Sequence, residues 1–176
     1  MTLVRIHEQS EVILDLRYAT TNNFVQTKLY EQALCFLHVD AEKALQRAIQ
    51  QASYIGYYFR IFDAFRPHAA AQRMWEVFPN PDYVADPQEG SHHTRGVAVD
   101  LTLIDRNGVD LDMGTPFDSF DLQSHHGSLI SPSISQNRYR LMGIMHSSGW
   151  TSIATEWWHY QLPNAATYPL IRDLTF

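Results

Sequence analysis

The sequence predicts an α+β fold, a mainly antiparallel sheet with helices packed on one face, in a single domain over residues 1–176. Three observations carry this expectation. Apolar residues recur at helical spacing in three segments, and three others have the alternation or the aromatic and β-branched content of strands. No Pro/Gly-rich or low-complexity tract separates them, so nothing suggests a linker. At 176 residues and 45% hydrophobic, the chain can bury about two-thirds of the surface its unfolded form exposes, enough for one core.

The first helix is expected over residues 40–53, where Ala41, Ala44, Leu45, Ala48, Ile49 and Ala52 form one buried stripe. Asp40 suits its N-cap and Gly56 its stop. Residues 57–62, aromatic and β-branched, read as a strand. That strand runs into Asp63-Ala64-Phe65-Arg66-Pro67, and Pro67 fits the first turn of a second helix through Ala69, Ala70, Ala71, Met74 and Trp75. Residues 78–89 contain Pro79, Pro81, Pro87 and several acids and are expected to form a loop over the surface. Next, Val97, Val99, Leu101 and Leu103 alternate with Ala98, Asp100 and Thr102, giving a strand with one apolar and one mixed face. Residues 105–134 are rich in Gly, Asp, Ser and His and read as a long functional loop. A third helix is expected over residues 137–148, with Leu141, Met142, Ile144 and Met145 inward and Gly149 at its end. An aromatic strand over residues 156–162 closes the set before Pro163.

Composition narrows the function. The formal charge of -6 comes from scattered acids with no run of Lys or Arg, which argues against a nucleic-acid partner. No apolar stretch approaches the roughly 20 residues needed to cross a bilayer, and the opening Met-Thr-Leu-Val-Arg-Ile-His lacks the regions of a signal peptide. The expectation is a soluble, cytoplasmic protein without a membrane partner. The lone Cys35 has no internal disulfide partner and reads as a small core filler. Nine histidines is a high count for the commonest metal-ligating side chain, and this directs attention to their spacing.

The strongest local signal is Gly90-Ser91-His92-His93-Thr94-Arg95-Gly96-Val97-Ala98-Val99-Asp100, in which a histidine in a Gly-flanked turn precedes a mid-strand carboxylate. A carboxylate on an apolar strand is costly to bury unless it is paired, hydrogen-bonded or bound to a metal. The second signal is Glu156 and His159 in an aromatic setting. A catalytic zinc typically has three protein ligands, an open position for water and a nearby carboxylate to take the water's proton, and these four side chains fill those roles. On an ideal strand Glu156 and His159 would point to opposite faces, so a bend, bulge or strand start is expected near Glu156. Taken singly, each residue has a plainer alternative. His93 and His159 can be hydrogen-bonded histidines, and Asp100 can pair with Arg95 or Arg66.

Five ordered motifs bear on that choice. They are Asp15-Leu16-Arg17-Tyr18-Ala19-Thr20 with Asn22-Asn23-Phe24, the Asp63 to Pro67 run, the Ser91 to Asp100 turn and strand, Met113-Gly114-Thr115-Pro116-Phe117-Asp118, and Glu156-Trp157-Trp158-His159-Tyr160. Together, and almost end to end, the chain resembles the zinc-dependent D-alanyl-D-alanine dipeptidases. The resemblance implies that His93, Asp100 and His159 hold one zinc ion per chain at the sheet, that Glu156 is the general base and that Arg66 reaches the carbonyl oxygen of the scissile bond. It implies a small D,D-dipeptide as partner, with Asp118, Ser91 and Tyr18 near the substrate's ammonium end, and Asp63 is counted among the substrate-binding residues. A D,D- or L,D-carboxypeptidase and a non-catalytic zinc module are the alternatives. His92 is a spare ligand, His125 and His126 are loop histidines, and the segment before Ser91 looks short for the family, which implies a more open mouth to the site.

Overall fold

The structure is a computed structural model describing residues 3–172 and 174. The two segments with the clearest strand patterning make its centre. Strand β4 (Tyr57–Asp63) pairs antiparallel with β5 (Ala98–Asp105), and β5 pairs antiparallel with β7 (His159–Gln161). A five-stranded sheet of order β2-β4-β5-β7-β6 results, with β2 (Val12–Leu14) parallel to β4 and β6 (Thr151–Ser152) antiparallel to β7. A separate antiparallel pair joins β1 (Leu3–Ile6) to β3 (Cys35–His38).

Period-two alternation gives the sheet two chemically different faces. Val99, Leu101 and Leu103 lie in register with Tyr160, Ile61 and Phe59, and all six are fully buried. Burying each such leucine stabilises the fold by about 1.5–3 kcal/mol. Helix α1 (Val39–Tyr54) joins that core through the stripe expected for it, and α3 (Pro132–Ser147) adds Leu141, Ile144 and Met145. Helix α2 (His68–Val77) instead buries Ala70 and Met74 in a second cluster with Tyr18, Tyr30 and Val84.

The opposite face carries the polar residues. Asp100 sits across from His159 on one side and Asp63 on the other. Strict alternation would put Asp63 on the same face as Ile61, beneath the helices. An irregularity in the β4–β5 register between Ile61 and Asp63 shifts the parity and brings Asp63 level with Asp100.

Several boundaries differ from expectation for local reasons. Helix α1 is capped by His38, whose Nδ1 accepts the Asp40 N–H at 3.2 Å, and Asp40 lies inside the first turn, where its charge suits the helix N-terminus. Gly56 does stop that helix, at φ 87°. Helix α3 starts earlier than expected, with Ser131 as N-cap and Pro132 in its first turn. The last strand is confined to β7 because Trp157 gives its N–H to Ser124 O at 3.1 Å instead of to a neighbouring strand. Strands β1, β2 and β3 were not foreseen; each has three or four residues, too few for periodicity to show. Cys35 is buried, as expected of a core filler, and burial pushes its thiol pKa up. Among the described residues, no helix is long and apolar enough to cross a membrane.

Candidate active site

His93 opens a short 3-10 turn (His93–Arg95) that feeds directly into β5. Gly96 closes this turn at φ 72°, and a Cβ there would lie 2.8 Å from Leu3 Cδ2 and 3.2 Å from the backbone nitrogen of His38. Only glycine permits both the left-handed turn and the bond from His38 N–H to Gly96 O, at 2.7 Å. His93 therefore stands beside Asp100 despite the six residues between them in sequence.

Among the described residues, His93, Asp100 and His159 bring their ligand atoms within 4.8 Å of one another, all three buried. Asp100 Oδ1 lies 3.0 Å from His159 Nδ1 and 3.3 Å from His93 Nε2, and the two ring nitrogens are 3.1 Å apart. Each ring is anchored through its other nitrogen: His93 Nδ1 by Ala64 O at 2.7 Å, His159 Nε2 by Gln161 Oε1 at 3.0 Å. With those nitrogens donating, two unshared pairs and a carboxylate face one buried point. That arrangement is self-repulsive unless a cation or proton is shared, and two imidazoles with one carboxylate make a donor set suited to zinc. Burial alone would raise the pKa of Asp100, but the two imidazoles hold its carboxyl well below the usual range.

His92 points elsewhere. Its Nδ1 is 2.5 Å from Gln161 Oε1, so this histidine and His159 converge on the same amide oxygen, and His93 alone of the adjacent pair faces Asp100. Burial lowers the His92 pKa. His125 Nε2 meets the Tyr83 hydroxyl at 3.3 Å, while His126 is held at about 4 by burial; neither joins the three-residue group.

Glu156 lies just before β7, where the chain turns, and its side chain is buried with Oε2 3.9 Å from His159 Nδ1. This is the break in strand geometry that the Glu156 and His159 spacing calls for. Burial raises the Glu156 pKa, and the nearby Asp100 adds to the rise while His159 opposes it. Arg66 follows β4; its Nε and one terminal nitrogen each lie 2.9 Å from Asp63 Oδ2, and that nitrogen is 3.7 Å from Asp100 Oδ2. Its guanidinium also stacks over the Tyr18 ring, 5.1 Å from the centroid.

Asp63 does not stand where a substrate-binding residue would. It is fully buried, Arg66 occupies Oδ2, and the Tyr30 hydroxyl donates to Oδ1 at 2.6 Å. The register shift in β4 puts it behind Arg66 as that residue's counter-ion, outside the cavity wall. Tyr18, Ser91 and Asp118 do line the cavity, together with Arg66, the three potential ligands and Glu156. Ser91 Oγ is shared with Thr94, accepting its N–H at 3.1 Å. The Tyr18 hydroxyl lies 3.0 Å from both oxygens of Asp118, and Asp118 is held at φ 62°. Burial, then the charge of Asp100, pushes the Asp118 pKa up to about 8.

The cavity measures about 270 Å³, below the usual range for drug-sized ligands and suited to something small. The proline-rich loop supplies one wall through Pro81, Tyr83 and Val84, so it is structural to the site and more than a surface cover.

A family model described as D-ala-D-ala dipeptidase matches residues 5–174. The chain belongs to this family of peptidases. It is 44% identical to a D-alanyl-D-alanine dipeptidase of Escherichia coli (strain K12), over 91% of this chain and 83% of that protein. Similarity extends to D-alanyl-D-alanine dipeptidases of Enterococcus faecium, 34% identical over 84% of each chain, and of Streptomyces coelicolor, 31% identical over 88% of this chain and 89% of the other. The family resemblance carried by the five motifs is thus shown, and the chain is an enzyme of the dipeptidase family. Sequence reasoning missed Gln161, the shared acceptor behind His159 and His92. The signal available was a polar residue two positions from a potential ligand on the same strand, hence on the same face.

Proposed function

We propose that this dipeptidase-family enzyme hydrolyses D-Ala-D-Ala, or a close D,D-dipeptide, to two free D-amino acids, with one zinc ion held by His93, Asp100 and His159. One observation carries the reading. A three-ligand group with a carboxylate and a guanidinium beside it shares a small cavity with a second buried carboxylate, Asp118. When bound, zinc supplies Lewis acidity, lowering the pKa of a water toward about 7 and polarising a carbonyl.

The remaining work falls to side chains. Glu156, in a buried setting that raises its proton affinity, takes the proton of the attacking water and returns it to the leaving amine. Arg66 stays charged at any working pH and places its positive charge where the tetrahedral oxyanion develops, held in that orientation by Asp63. Asp118, steadied by Tyr18, gives the free ammonium of a dipeptide a buried anionic partner, and Ser91 borders the same space. A long acylated peptide offers no ammonium there, so a free dipeptide is favoured over a peptidoglycan stem.

Metal content and D-alanine release, measured before and after chelation, test this. Bound zinc and release that stops on chelation and returns with zinc are expected. Absence of both, or cleavage of an acylated tripeptide in place of D-Ala-D-Ala, overturns it.

A further inference from the structure

Arg138 is a charged residue on the buried face of α3, in line with Leu141 and Met145, and only 3% exposed. Among the described residues it makes no ion pair. Its guanidinium donates to three backbone carbonyls instead: Nε to Met113 O at 2.8 Å, one terminal nitrogen to Gln123 O at 2.8 Å, the other to His125 O at 3.1 Å. Those three carbonyls bracket Asp118. The fixed fork of an arginine thus closes the base of the loop that carries this carboxylate.

A second network ties the same loop to Glu156. The Trp157 indole N–H donates to Thr115 Oγ1 at 2.9 Å, Thr115 Oγ1 and Ser124 Oγ are 2.9 Å apart, and Ser124 Oγ donates to Ser119 O at 2.5 Å. The donors run in one direction, from the residue after Glu156 to the residue after Asp118. Trp157 N–H also donates to Ser124 O at 3.1 Å. Asp118 itself is non-glycine at φ 62°, a conformation that persists only where its surroundings fix it.

We propose that Arg138 is a positioning residue that sets the distance between Asp118 and Glu156, and so makes the site selective for a dipeptide with a free ammonium. This rests on the reading above, in which Asp118 meets that ammonium. Asp118 has no regular secondary structure to place it; Arg138 and the Trp157–Thr115–Ser124–Ser119 chain take that part.

The test compares D-Ala-D-Ala with N-acetyl-D-Ala-D-Ala on zinc-loaded wild type, Arg138→Gln, Thr115→Val and Thr115→Ser, with zinc content and melting temperature in parallel. A displacement of about 1 Å can reduce efficiency on the order of 100-fold. Arg138→Gln is therefore expected to raise KM for the free dipeptide far more than it lowers kcat, and to lose most of the preference over the acetylated substrate. Thr115→Val should move the same way and Thr115→Ser, which keeps the hydroxyl, should not. Thr115→Val also carries the test if Arg138→Gln fails to fold. Equal losses on both substrates, with the preference intact, overturn the proposal. Wild type without any preference for the free ammonium, or Asp118→Asn that retains it, overturns the Asp118 reading and this inference with it.

Discussion

Gln161 holds its side-chain oxygen 3.0 Å from His159 Nε2, which leaves Nδ1 of the same ring facing Asp100 Oδ1 at 3.0 Å. The amide thereby selects which nitrogen is available to a metal and fixes the ring's orientation. Losing such an outer partner typically weakens metal binding about 10–100-fold. Gln161→Ala is expected to lower zinc affinity by that order, measured by competition with a chromophoric chelator. At saturating zinc, kcat should change much less. Unaltered affinity would show that the ring is held by its packing alone.

Glu156 is close to the potential ligands yet is assigned a different task, and the two roles separate experimentally. Glu156→Gln keeps size and shape but cannot take a proton. It is expected to lower kcat about 10²–10⁴-fold while zinc content stays at one per chain. Undiminished turnover removes Glu156 from the base role, and loss of zinc would make it a ligand.

Asp63 is the buried counter-ion of Arg66, and its removal leaves a guanidinium with Asp100, at 3.7 Å, as its nearest remaining charge partner. Breaking a buried pair from one side typically costs about 3–5 kcal/mol. Asp63→Ala should lower the unfolding free energy by that amount in denaturant titrations and also impair catalysis through misplaced Arg66. A loss below about 1 kcal/mol, the value of an exposed pair, would refute the counter-ion role.

Much of this was legible in the sequence because it is periodic or local. The α1 stripe and the β5 alternation gave the core, and the same alternation put Asp100 on the face away from it. The distance from His93 to Asp100 is set by one Gly-closed turn, which a local motif can encode. The buried setting of Asp63 was not legible because its side-chain direction depends on a register shift between two strands, and that is a property of pairing with no local trace. Arg138 was overlooked although its place on the Leu141 and Met145 stripe was readable. A charge on an apolar stripe demands partners, but three carbonyls in a distant irregular loop cannot be named from spacing.

Asp118 makes the stability of the protein depend on pH in a direction opposite to that of an ordinary surface carboxylate. Burial, followed by the charge of Asp100, raises its folded pKa to about 8. In the unfolded chain the same group titrates near 3.9. Between those values the folded protein holds a proton that the unfolded chain has released, so stability is fullest below about pH 4 for this group and declines as pH rises toward about 8. Asp118→Asn cannot titrate and should lack that decline, so the melting temperature of the metal-free variant should gain on that of metal-free wild type steadily across the window. A dipeptide ammonium favours the ionised carboxylate, so wild type should also release a proton on binding D-Ala-D-Ala below about pH 8. Calorimetric titration of a turnover-deficient Glu156→Gln protein in buffers of different ionisation enthalpy reads that proton directly. Parallel melting curves for wild type and Asp118→Asn, together with binding that releases no proton, would rule out a protonated Asp118 in the resting site.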